Sequence, residues 1–226
     1  MGGNLINFPG DVTTPTAYLI TSKIVFNSVL SKKNEKIMCA DLSNFYLNNP
    51  IDRYEYMNLP MDIILEDITQ QCNLRNLSHK VFVYMDIQKG VYGIPQSGKI
   101  TNDKIKLHLA KFGYESAPVA PGLWRHQTHP VQFSLVVDDF GVKYERQEYI
   151  THFLDAHIKI YNISEDWDGK LYCGNNVEWD YYKRKVLVSM PKYVTKSLQK
   201  FQNLTPRRDQ YAPHQWTRQN MVQQSN

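Results

Sequence analysis

Apolar and polar positions switch period several times along the chain. Residues 1–15 are broken by Gly2, Gly3, Pro9, Gly10 and Pro15 and read as loop. Over residues 16–31, Leu19, Phe26 and Leu30 fall near one helical stripe, flanked by Ile20, Val25 and Val29, which predicts a helix. Residues 36–41 form a short apolar run ending at Asp41, a predicted strand. Residues 51–80 mix both periods and assign no element. Residues 81–87 predict a second strand, followed by a loop punctuated by Gly90, Gly93, Pro95 and Gly98. Residues 100–112 read as an amphipathic helix through Ile105, Leu109 and Phe112, with Gly113 as its stop.

The run Phe133-Ser-Leu-Val-Val137, a turn over residues 138–141, and Val142-Lys-Tyr144 predict a β-hairpin. A helix follows at about 145–160, with Tyr149, Phe153 and His157 on one face beside Ile150, Leu154 and Ile158. Residues 171–174 and 186–189 predict a second two-stranded element. Pro191 then opens a helix with Val194, Leu198 and Phe201 inward. After Pro206 the chain is polar and Gln-rich.

Composition narrows the class. The chain has 226 residues, 42% hydrophobic and 21% charged, as a globular domain does. Apolar runs are too short to span a bilayer. The N-terminus lacks the apolar stretch of a secretory signal. Ile6 occupies the place where a myristoylation signal wants Ser or Thr. Cys39, Cys72 and Cys173 share no metal-ligand spacing and make no even disulfide framework, which predicts a reducing compartment. The sequons at Asn76, Asn162 and Asn203 are then chance matches. Charge is unevenly placed. Residues 183–226 carry nine Lys/Arg against one acid, Asp209, whereas the rest holds 17 bases and 21 acids. A basic end on an acidic body suits a polyanion, and equally a solvated helix face with a tail.

Candidate chemistry centres on Asp138 and Asp139. Adjacent carboxylates repel and resist ionising together, although Asp is also a common turn residue. A divalent cation removes the repulsion, and Mg²⁺ prefers such hard oxygens and takes further ligands from phosphates. Paired ions activate the attacking oxygen and stabilise the leaving one in phosphoryl transfer. A third carboxylate on a neighbouring strand completes such a site, and Asp41 is the candidate; the plain alternative is a strand-ending or helix-capping acid. Tyr46, five residues on, is placed to lie under a sugar, or simply to pack in the core. The loop Tyr92-Gly-Ile-Pro-Gln-Ser-Gly98 gives backbone freedom around Gln96, or is a tight turn before a helix capped by Ser97 or Thr101.

In order, these segments resemble the reverse transcriptase domain of LTR-retrotransposon Pol polyproteins, nearer the copia than the gypsy type. Asp41-Leu-Ser-Asn-Phe-Tyr-Leu47 looks like the first catalytic motif and Tyr92–Gly98 like the template and nucleotide loop. Leu135-Val-Val-Asp-Asp-Phe-Gly141 looks like the paired-aspartate hairpin. Leu171-Tyr-Cys-Gly174 looks like the start of the primer grip and Val188-Ser-Met-Pro-Lys-Tyr-Val194 like the thumb entry. Residues 2–10 are similar to the preceding fingers segment. The resemblance covers about residues 2–215.

The resemblance implies an α+β fold, a right-hand polymerase palm on an antiparallel sheet with partial fingers and the start of a thumb. It implies partial fingers over 1–35, palm with an inserted fingers segment over 36–170, primer-grip hairpin and thumb entry over 171–205, and a connection or tail over 206–226. Asp41, Asp138 and Asp139 become the catalytic metal ligands for two Mg²⁺ or Mn²⁺ ions, with the Leu42 carbonyl reaching one of them. Tyr46 falls at the gate that excludes a ribose 2′-hydroxyl and Gln96 at the nucleotide contact. Cys173 and Gly174 fall at the primer grip. Lys192, Lys196 and Lys200, spaced by four, then suit a phosphate backbone.

The expected function is RNA-directed DNA polymerase, acting on an RNA or DNA template, a DNA primer and dNTP, together with other Pol segments, in cytoplasmic particles or the nucleus. The alternative is a catalytically inactive, truncated nucleic-acid-binding remnant of the same domain, because Met1 falls inside the fingers of the family pattern. A third reading is an α+β domain with an unrelated role. The chain departs from the family at Val136, where the paired-aspartate motif usually begins with Tyr.

Overall fold

A computed structural model of the chain describes residues 6–201. The chain divides into two compact units, residues 1–188 and 189–226. In the first, α1 (Leu19–Ser31) leads into β1 (Lys36–Ser43). The strands β2 (Pro50–Pro60) and β3 (Phe82–Lys89) pair as an antiparallel ribbon, with a 3₁₀ turn (Met61–Ile63), α2 (Glu66–Gln71) and α3 (Leu74–Leu77) between them. Then come α4 (Pro95–Ala110), β4 (Tyr114–Ser116), β5 (Leu123–His126), β6 (Gln132–Val136), β7 (Asp139–Tyr144), α5 (Gln147–Ile158) and β8 (Asn162–Asp166). The short strands β9 (Leu171–Tyr172), β10 (Asn175–Asp180) and β11 (Lys185–Ser189) follow. The second unit contributes α6 (Pro191–Lys200).

The class is α+β with antiparallel sheets. The main sheet runs β4-β5-β6-β7-β1-β8, and smaller sheets run β11-β10-β9 and β2-β3. The main sheet is covered on both faces, which is why β1 reads as an unbroken apolar run rather than an alternating one. Met38, Ala40 and Leu42 pack with Ile105 and Leu109 of α4 and with Ile150, Phe153 and Leu154 of α5. Ile37 and Cys39 point the other way, toward Val25, Phe26 and Val29 of α1 and toward Tyr172 and Val177. Each fully buried side chain of this size contributes about 1.5–3 kcal/mol. Asp41 is in phase with Ile37 and Cys39, so it emerges on the α1 face.

The structure corrects several expectations. The buried stripe of α1 is Thr21, Ser22, Val25, Phe26 and Val29, whereas Leu19 and Ile20 are 64% and 62% exposed. The helix expected from residue 100 begins at Pro95, whose fixed φ suits a first helical position. Its end is as expected, with Gly113 at φ +81. The 133–144 hairpin turns at Val137 and Asp138, not over 138–141, so Asp139 already lies on β7. Residues 171–174 and 186–189 do not pair with each other, because β10 lies between them. Ile158 of α5 is exposed, as are Val194 of α6 and Phe201 just after it, both expected inward. The tail after Pro206, the sequon at Asn203 and residues 1–5 lie outside the described residues. Among the described residues no helix is long and apolar enough to cross a membrane.

Candidate functional site

The antiparallel register of β1 and β7 ends at Asp41 opposite Asp139. Directly opposed residues share a face of the sheet, with Cβ atoms typically about 5 Å apart. Asp138 sits next door in the β6–β7 turn. Its carbonyl accepts from the Leu42 N–H at 3.1 Å, which ties the end of β1 to that turn. The Leu42 side chain is buried in the core. Backbone pairing therefore sets Asp41 opposite Asp139 and places the Asp138 backbone beside the end of β1.

Val137 precedes them at φ +58. A two-residue hairpin turn of this kind favours Gly at its first position, and a β-branched residue there is strained. Cys173 and Gly174 form a second tight turn, between β9 and β10, at φ +49 and +74. That pair of values matches the turn in which Asn-Gly or Asp-Gly is usual, so Cys173 is also held in an unfavoured conformation. The Cys173 thiol and backbone N–H face the Asp139 carboxylate. Two strained turns thus meet at the acidic cluster, where stored strain commonly marks a working site.

The electrostatics follow from burial and crowding. Asp139 is pushed up to about 6, chiefly by burial and then by the charges of Asp138 and Asp41, with Cys173 opposing the rise. Asp41 is raised by burial and by Asp138. The Cys173 thiol is pushed up to about 12 by burial and the Asp139 charge. Among the described residues no Lys, Arg or His pairs with any of the three aspartates. Neighbouring carboxylates with no cation among them are the donor chemistry a hard divalent ion takes, although the three do not all lie within 4.8 Å of one another and would have to close on it.

Two tyrosines close one side. The Tyr92 hydroxyl donates to the Asp138 carboxylate, and its ring meets Tyr46 edge-on at 4.6 Å. Burial and then the Asp138 charge raise the Tyr46 phenol. Tyr46 is half-buried against Phe45 and Tyr92. Sequence reasoning placed Tyr92 in a candidate motif without giving it a role at the aspartates. The flanking Gly90 and Gly93, which free that loop to approach, were the available signal.

The other expected residues fall elsewhere. Gln96 is buried at 1% exposure in the first turn of α4. Its amide N–H donates to the Arg53 carbonyl and the Glu55 carboxylate of β2, both at 3.3 Å. This N–H braces the β2–β3 ribbon, while the buried Gln96 Oε1 has no partner among the described residues. Ser97 accepts from the Val91 N–H at 3.1 Å and Thr101 from the Asn49 amide at 2.9 Å, so neither caps α4. Gly174 is exposed, with open space around it. Lys192, Lys196 and Lys200 lie on α6 in the second unit, where the Lys196 and Lys200 side chains are exposed. No family model, no curated protein and no solved structure matches this chain.

Proposed function

We propose that the chain is the palm-centred core of an RNA-directed DNA polymerase of the LTR-retrotransposon type, as its ordered motifs suggest. The observation that carries the reading is that Asp41 lies opposite Asp139 in the β1–β7 register with Asp138 in the adjoining turn, uncompensated by any cationic side chain among the described residues. These carboxylates would hold Mg²⁺, which when bound neutralises phosphate charge and favours the alkoxide form of a primer hydroxyl. In the reaction the primer 3′-oxygen bonds to the α-phosphorus of a dNTP, the α–β bridging bond breaks, and pyrophosphate leaves. Asp41 and Asp139 are fixed by the strand ladder, so little reorganisation is needed as charge develops. Tyr46, beside Asp138, offers a ring at the edge of the cluster for the sugar. The repeat of Lys192, Lys196 and Lys200 on α6 suits the phosphates of a primer–template duplex.

The test is primer extension by the full chain on poly(rA) with an oligo(dT) primer and Mg²⁺ or Mn²⁺. Incorporation by the parent that Asp138→Asn abolishes, with duplex binding retained, supports the reading. Normal incorporation by that variant overturns the site. A second reading, a nucleic-acid-binding remnant without catalysis, is favoured by one observation: Gln96 is 1% exposed with its amide N–H bonded to β2. Salt-sensitive duplex binding without incorporation by the parent selects it.

A further inference from the structure

Three histidines meet at a place unrelated to the acidic cluster. His126 ends β5, His129 lies in the β5–β6 turn, and His152 is on α5. One ring nitrogen of each lies within 4.8 Å of the other two. All three are half-buried. His129 stacks on His126 at 4.2 Å and on Tyr149 at 5.0 Å. His152 meets both other imidazoles at 5.2 Å between centroids.

We propose that His126, His129 and His152 form a binding site for a borderline divalent transition metal, Zn²⁺ being the representative ion, that clips β5 and the β5–β6 turn to α5. Three imidazoles select such a metal over Mg²⁺, which wants oxygen ligands. The surroundings are those of a supported ligand set. His126 Nε2 donates to the Phe112 carbonyl at 2.9 Å, which fixes the ring and its tautomer and leaves Nδ1 as the acceptor atom. His152 Nδ1 bonds the hydroxyl of Tyr114, which is 1% exposed, at 3.1 Å, and Nε2 is left for an ion. The His129 ring makes no hydrogen bond among the described residues and is held by stacking on His126 and Tyr149, so it turns at the cost of stacking alone.

Binding needs a modest contraction. Zinc with nitrogen ligands near 2.1 Å holds them about 3.4 Å apart. Rotation of His129 supplies part of that change. His126 Nδ1 currently accepts from the backbone N–H groups of Thr128 and His129, at 3.1 and 2.9 Å, and would exchange them for the metal. Three elements distant in sequence would be cross-linked by one ion, leaving a fourth position for water.

The experiment titrates the full chain with Zn²⁺, and separately with Co²⁺ followed by its visible absorption, with excess Mg²⁺ present to occupy the carboxylates. One Zn²⁺ per chain is expected, with a tetrahedral cobalt spectrum and a rise in Tm. His129→Ala is the principal variant, because that ring holds no structural hydrogen bond, whereas His126 organises its turn. Affinity in His129→Ala and in His152→Ala should fall about tenfold or more, while His79→Ala and Asp138→Asn bind as the parent does. No saturable Zn²⁺ binding, binding unchanged in His129→Ala, or binding lost in Asp138→Asn would each overturn the site.

Discussion

Asp41 and Asp139 are the last register partners of the β1–β7 ladder, two carboxylates placed opposite one another where the sheet face opens to solvent at Asp41. A sheet rarely ends that way, since like charges directly opposed destabilise the pairing. The arrangement is understandable if a cation completes it.

The first prediction follows from the sign of that repulsion. The carboxyl of Asp139 is raised to about 6 in the folded chain from an ordinary 3.8. The fold therefore favours the protonated form: its contribution is full below pH 3.8 and is lost as pH rises through about 6. At pH 7.5 the ionised group destabilises the protein, by about 1 kcal/mol once solvent screening is allowed for. Asp139→Asn should raise Tm at pH 7.5 and leave it unchanged at pH 3.5. Millimolar Mg²⁺ should raise the parent's Tm and not the variant's. Thermal denaturation at the two pH values decides it.

Tyr92 competes with any ion for Asp138, because its hydroxyl holds a carboxylate oxygen that would have to be released. The side chain is largely exposed, so the net worth of the bond is about 0.5–1 kcal/mol. Tyr92→Phe should lower the Mg²⁺ concentration for half-maximal incorporation about two- to fivefold. An unchanged or raised requirement would mean that Tyr92 positions Asp138 rather than blocks it.

How much of this was legible depends on whether the signal was local. The apolar run of β1 and the paired aspartates of the 133–144 hairpin announce themselves within a few residues, and both elements form. The turn starts one residue earlier and ends three residues earlier than expected because Val137, a poor residue for positive φ, gives no turn signal. Of the β2–β3 ribbon, β3 was legible as the 81–87 run, but β2 was not, because its exposed Tyr54 and Tyr56 blur the alternation that a one-sided strand would show. Gln96 looked available because a glycine-bounded loop surrounds it in sequence; its burial is set by Arg53 and Glu55, some forty residues earlier. The histidine cluster had no spacing to betray it, since α5 brings His152 to the β5–β6 turn only in the folded chain.

Val137 offers a test of stored strain. Left-handed backbone disfavours an L side chain by roughly 1–2 kcal/mol, and more for a β-branched one. Its half-buried side chain returns part of that through packing on the core. Val137→Gly should leave Tm unchanged or slightly raised, because the two effects oppose. It should lower incorporation, because the turn presenting Asp138 loses its fixed geometry. A fall in Tm above about 1 kcal/mol equivalent would show that packing, not strain, governs the position.

A buried ion pair makes an asymmetric prediction. Lys143 of β7 lies 3.3 Å from Glu35, and both side chains are less than a tenth exposed. Glu35 also pairs with the exposed Lys32 at 3.0 Å. Glu35→Gln leaves the Lys143 ammonium buried without a counter-charge, at about 3–5 kcal/mol. Lys143→Met removes the buried cation, keeps the stem's packing, and leaves Glu35 its second partner, so it should be far milder. Chemical denaturation of the two variants should separate them clearly; equal losses would mean the pair is not desolvated in solution.

His157 sets the acid limit of the fold. Its ring is wholly buried among Phe133, Phe140 and Phe153. Nδ1 donates to the Phe153 carbonyl at 2.8 Å, while Nε2 has no partner among the described residues. Burial lowers its pKa from 6.5 to about 4. The unfolded chain takes up a proton near pH 6.5 and the folded chain does not until about pH 4, so stability is full above 6.5 and falls as pH drops toward 4. The loss amounts to roughly 3 kcal/mol over that window. His157→Phe keeps the aromatic packing, removes the orphaned nitrogen, and abolishes this proton uptake. The parent should lose Tm steeply between pH 6.5 and 4 while the variant's profile is flatter by that amount. If both profiles fall together, carboxylate protonation elsewhere, not His157, governs acid unfolding.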